Sequence, residues 1–131
     1  MDDPIWITEP LALAIHKRQL AEHGGLDGVR DPGLLKSALA RPRHLFAYTD
    51  PTPDIPALAA AYAFGTARNH PFIDGNKRTA AVVCETFLEL NGVTLDASDA
   101  ELYPIFLDLA AGALTEEQLA VWLAAHTRRQ S

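Results

Sequence analysis

A single cysteine, Cys84, stands among the 131 residues, so an internal disulfide is excluded and a reducing compartment is expected. Positive charge is also scarce. Eleven Lys and Arg against 17 Asp and Glu leave a formal net charge of -6, which argues against a general nucleic-acid-binding face. No run of about 18 apolar residues occurs, and no basic segment leads into an apolar one, so neither a spanning helix nor a secretion leader is expected. The expected setting is therefore the cytoplasm, without membrane contact. No internal repeat, low-complexity segment or linker breaks the chain. No HExxH or Cys-His spacing accompanies His16 and His23, which leaves both as surface or structural residues and not zinc ligands.

What is present is a chain that is 48% hydrophobic and 21% charged, rich in Ala and Leu, as a compact helical protein requires. A chain of this length forms one domain, 1–131, and buries roughly two-thirds of its unfolded surface. Met1 to Thr8 contains the apolar triplet Ile5-Trp6-Ile7, an extended segment suited to lie on a core. A first helix runs from Pro10 to about His23 and stops at Gly24-Gly25. Asp31-Pro32 caps and opens a second, predicted to end near Leu39 because Arg41-Pro42 follows. Arg41 to Pro53 is then the longest irregular stretch, with three prolines and two aromatics. A third helix over Asp54 to Asn69 delivers the chain to His70. A fourth, Asn76 to Leu90, is apolar around most of its circumference, which suits a helix at the centre of a bundle, and Asn91-Gly92 closes it. Cys84, mid-helix among apolar neighbours, reads as a small core residue. Val93-Thr94-Leu95 is a short extended segment. Capping boxes at Ser98-Asp99-Ala100-Glu101 and Thr115-Glu116-Glu117-Gln118 open a fifth helix to about Ala111 and a sixth to about Arg128, with Leu119 and Trp122 facing the core. The fold class is all-α: about six helices, with at most a minor β segment.

The stretch His70 to Ala80, HPFIDGNKRTA, breaks a local electrostatic rule. Lys77 and Arg78 fall in the first turn of the fourth helix, where unpaired N–H groups already carry about half a positive charge. Cations are misplaced there unless an anion such as a phosphate sits beside Gly75, whose missing side chain lets the backbone come close. Taken singly, each residue has an ordinary reading: Asp74 as an N-cap, Gly75 as a turn, Phe72 as a core anchor, His70 as a satisfied histidine. Density alters the balance. An imidazole, a side chain that titrates near neutrality, lies within nine residues of a carboxylate, an amide and two cations. Phosphoryl-type transfer needs that set, being mostly positioning and charge neutralisation plus a base for the nucleophile.

His70, Phe72, Asp74, Gly75, Asn76 and Arg78 fill every position of the pattern His-x-Phe-x-[Asp/Glu]-Gly-Asn-x-Arg, and the stretch thereby resembles the signature of the Fic/Doc (Fido) superfamily. The segments Gly25 to Phe46 and Ala61 to Phe72 resemble its death-on-curing (Doc) branch. Lys77 stands where AMP-transferring Fic enzymes usually carry a second glycine, and Ala81 where they usually carry a second arginine. The resemblance implies a Fido-type bundle around a buried helix bearing the signature. It also implies an ATP-dependent transferase, with His70 as general base, Asp74 holding Mg²⁺, and Gly75, Asn76, Lys77 and Arg78 cradling the phosphates. In that branch the terminal phosphate goes to a Ser or Thr of elongation factor Tu and arrests translation, so the chain would be a toxin. No [Ser/Thr]-x-x-x-Glu-[Gly/Asn] hexapeptide is present for self-inhibition, and a Phd-like antitoxin acting in trans is the implied partner. For Arg41 to Pro53 two readings stand: a flap in which Leu45, Phe46 and Tyr48 help to hold a target peptide, or a connector padding the core. AMP transfer is the alternative activity, and a nucleotide- or partner-binding module without turnover is the alternative from another class.

Overall fold

The computed structural model describes residues 3–130; of the N-terminal segment, Met1 and Asp2 lie outside the described residues. Six helices appear in chain order: α1 (Glu9–His23), α2 (Pro32–Tyr48), α3 (Ile55–Asn69), α4 (Asn76–Leu90), α5 (Asp99–Ala111) and α6 (Glu116–Ala125). Two short strands complete them, β1 (Val93–Leu95) and β2 (Thr127–Arg129), paired antiparallel with Val93 opposite Arg129 and Leu95 opposite Thr127. The all-α class and the small β element are as the sequence predicts. No helix among the described residues is long and apolar enough to cross a membrane.

Helix starts follow local chemistry. The side chains of Thr8, Asp31 and Asp54 each accept a backbone N–H at the N-termini of α1, α2 and α3, and proline follows within the first turn. Both expected capping boxes form, Ser98 with Glu101 and Thr115 with Gln118. α3 is enclosed on nearly all sides by α2, α4, α5 and α6, and Leu58 to Ala63 are fully buried. α4 lies against it with Thr79, Ala80, Val83, Cys84, Phe87 and Leu88 inward and Lys77, Arg78 and Glu89 outward. Burial first, and Glu85 second, push the Cys84 thiol far above its ordinary range, so it is a core residue and no nucleophile. The segment before α1 is extended on the core. Ile7 donates its N–H to the Tyr62 hydroxyl at 3.0 Å, and Trp6 stacks on Phe87 with ring centroids 6.0 Å apart.

Two predicted boundaries are wrong. α2 does not stop at Leu39 but continues through Pro42 to Tyr48. Proline removes one helical hydrogen bond, yet Leu35, Ala38, Leu39 and Pro42 form one buried stripe that Leu45 and Phe46 extend, and this packing outweighs the local cost. α3 seals the contact at Gly65, where an added Cβ would lie 3.0 Å from the Cα of Ala38. Leu45, Phe46 and Tyr48 therefore belong to the end of α2 and form no flap. Leu45 and Phe46 are half-buried, Phe46 meets Trp6 edge-on, and Tyr48 is 80% exposed. α6 ends at Ala125, not near Arg128, because Thr127 to Arg129 pair with β1.

Candidate functional site

The signature stretch spans the junction of α3 and α4. α3 ends at His70, which adopts a left-handed conformation, φ 49° and ψ 57°, the one positive φ outside glycine among the described residues. For a residue with a Cβ this costs roughly 1–2 kcal/mol, so something must hold it. Pro71 and Phe72 are buried and turn the chain inward; Ile73 and Asp74 are exposed; Gly75, at φ 77°, opens α4. A side chain at Gly75 would be strained by that dihedral, which accounts for the glycine.

No side chain caps α4. Asp74 instead accepts from the Gly75 N–H at 3.1 Å through Oδ1 and from the Leu26 N–H at 3.2 Å through Oδ2. The first-turn N–H groups of α4 thus have no side-chain acceptor, and Lys77 and Arg78 are exposed beside them. Neither cation makes an ion pair among the described residues, where the three pairs are Arg18–Glu22, His23–Glu22 and Arg41–Glu116. The dipole and two free cations converge on one spot that no protein anion fills.

That spot is a cavity of about 350 Å³ lined by His70, Ile73, Asp74, Gly75, Asn76, Lys77, Arg78 and Tyr103. Lys77, Arg78 and Tyr103 also border a second cavity of about 330 Å³ between α1, α4 and α5, so the two are halves of one cleft. The second half is floored by Val82, Leu102 and Phe106 and edged by Glu22, Glu85 and Asp99. Glu85 is half-buried, and desolvation, then Asp99, then Glu89, raise its pKa above the ordinary 4.5. The cleft is therefore basic at the signature and acidic away from it.

A carboxylate with a raised folded-state pKa contributes stability that is present below its unfolded value and is lost as pH rises through the folded one. Glu85→Gln is accordingly expected to raise the melting temperature near neutral pH and to give no gain at about pH 4. Thermal melts at the two pH values check this, and an equal gain at both contradicts it.

The predicted site residues are brought together, with one difference. The Asn76 amide does not face the cavity as a free donor. Its Oδ1 accepts from the Phe72 N–H and its Nδ2 donates to the Phe72 carbonyl, both at 3.0 Å, so the buried Asn76 locks the turn from within. Among the described residues no group of three or more His, Cys, Asp or Glu forms a metal cage. Asp74 keeps an unused lone pair on each oxygen, which fits Mg²⁺, a cation commonly held by one carboxylate together with phosphate oxygens and water.

Two supporting residues escape sequence reasoning. His16 on α1 is buried, lies flat on Phe72 with ring centroids 3.8 Å apart, and makes a 2.8 Å hydrogen bond from Nε2 to the Asp74 carbonyl. Arg30 lies in the segment between α1 and α2, which runs along the signature: Val29 bridges Phe72, and the Gly28 carbonyl accepts from Ile73. This segment, and not the end of α2, packs against the signature turn. Position 16 carried no such sign, because its partner is 58 residues away.

The Fic/DOC family model matches residues 6–88. The "Protein kinase doc" of Escherichia phage P1 is 37% identical over 118 residues, covering 90% of this chain and 88% of that protein. The "Toxin Doc" of Mycolicibacterium smegmatis is 49% identical over 74 residues, 56% of this chain and 57% of that protein.

Proposed function

The chain belongs to the Fic/DOC family, and from that premise we propose that it is a Doc-like toxin, an ATP-dependent transferase moving the terminal phosphate of ATP to a Ser or Thr hydroxyl. The observation that carries this is the pair of unpaired cations at an uncapped helix start, in one cavity with His70 and Asp74. Its relatives' names, a kinase and a toxin, support the group moved and the outcome. The proposed target is elongation factor Tu, with translation arrest as the consequence in the cytoplasm. The proposed restraint is a Phd-like antitoxin.

Charge sets the orientation of the nucleotide. Glu22, Glu85 and Asp99 repel phosphates, so the phosphates lie over Gly75, Lys77 and Arg78, and the adenosine extends past Tyr103 into the apolar half. His70 takes the proton of the target hydroxyl as its oxygen bonds to the terminal phosphorus, and the bond to the bridging oxygen breaks to release ADP. The α4 N–H groups, Lys77 and Arg78 stabilise the charge on the transferred group and on the leaving phosphate. Asp74 would hold Mg²⁺, which neutralises phosphate charge when bound.

The test is incubation of the purified chain with elongation factor Tu and ATP labelled at either the terminal or the first phosphate. Label from the terminal phosphate, with a mass gain of one phosphoryl group, is expected. Label from the first phosphate means AMP transfer, and no label with either means a binding module, each of which sinks the reading. Asp74→Asn is expected to weaken Mg²⁺ binding in the presence of ATP by about 10–100-fold, read by metal titration.

A further inference from the structure

We propose that Arg30 is a positioning residue for His70: its guanidinium caps the end of α3 and holds the left-handed turn that sets His70 in the signature cavity. The inference rests on the transferase reading for its consequence, but not for its geometry. Three consecutive carbonyls are held from one place. Arg30 donates Nε to the His70 carbonyl at 2.7 Å and an Nη to the Asn69 carbonyl at 2.8 Å. The backbone N–H groups of Arg30 and Asp31 both donate to the Pro71 carbonyl, at 2.7 and 3.1 Å.

The hold is needed because the local sequence does not supply it. A helix that ends in a left-handed residue usually places glycine there, and its last carbonyls accept from the following backbone. Here the residue is histidine, and the Asn69 and His70 carbonyls accept from a side chain 39 and 40 residues away. Pro71 disfavours the right-handed helical region for the residue before it and leaves extended backbone as the default. Released from Arg30, His70 would relax toward that default and carry its imidazole off the cavity wall. A guanidinium suits the task, since its planar fork reaches two neighbouring carbonyls at once and its charge favours the negative end of α3; an ammonium offers a point charge without the fork. Arg30 does not line the signature cavity, and two of its nitrogens are engaged by carbonyls, so it is no phosphate ligand.

The test uses the purified full chain with Arg30→Ala, Arg30→Lys and His70→Asn. Both Arg30 variants are expected to lower kcat for transfer by about 10–100-fold with KM for ATP within about twofold, the pattern of a misplaced reacting group. Millimolar guanidinium should restore part of the Arg30→Ala rate. Independently of activity, the NMR HN–Hα coupling and Cα shift of His70 should lose their left-handed signature in both variants. Wild-type activity in Arg30→Lys would overturn the inference, because charge alone would then suffice. So would a raised KM with kcat unchanged, or a left-handed His70 surviving in Arg30→Ala. If His70→Asn transfers as well as wild type, His70 is not the base, and if the wild-type chain itself transfers nothing, the transferase reading falls; in either case the NMR measurement still decides the role of Arg30. Should Arg30→Ala melt too low to assay, Arg30→Lys carries both measurements.

Discussion

His70→Asn is expected to lower phosphate transfer by about 10²–10⁴-fold, the usual contribution of a general base. Asparagine is the informative replacement because position 70 is left-handed, a conformation that Asn tolerates better than most residues with a Cβ. His70 is exposed and caps the end of α3 without burying its ring, so the melting temperature should stay close to that of wild type. ATP affinity should also persist, since Lys77, Arg78 and the open start of α4 are untouched. Single-turnover transfer, measured beside nucleotide binding, checks this. A variant that still transfers at the wild-type rate would remove His70 from the chemistry.

The second large effect is expected at Asn76, by a different route. Asn76→Ala strips the Phe72 N–H and carbonyl of their buried partners, and each orphaned group costs about 1–3 kcal/mol. A loss of roughly 2–4 kcal/mol of stability should follow, seen as a shifted denaturant midpoint, together with loss of transfer as the signature turn loosens. Asn76→Asp should do no better. It keeps an acceptor for the Phe72 N–H but sets a carboxylate against the Phe72 carbonyl. Normal stability with weakened ATP binding in Asn76→Ala would instead make this side chain a phosphate ligand, as the family resemblance alone suggests.

The contrast between these residues shows where sequence reasoning was sufficient. His70, Asp74, Lys77 and Arg78 stand within nine positions and reach one cavity by local geometry, the end of one helix and the start of the next. Asn76 is local too, four residues from Phe72, but its side chain turned inward and not toward the cavity. The stretch that holds Leu45, Phe46 and Tyr48 reads as irregular, and not as the end of α2, for another reason. Pro42 carries a strong local stop signal, and the buried stripe that overrides it becomes visible only with α3 packed against it.

The order of charges along HPFIDGNKRTA, the caps at Asp31, Asp54, Ser98 and Thr115, and the apolar spacing of the helices were properties of the chain itself, because a helix start and a phosphate site are made by near neighbours. Tertiary structure alone decided what holds the site in shape. His16 reaches Asp74 across 58 residues, Arg30 reaches His70 across 40, and the acidic half of the cleft gathers Glu22, Glu85 and Asp99 from three helices. Those partners share no sequence period, so packing, which depends on shape and on buried hydrogen bonds, is what selects them.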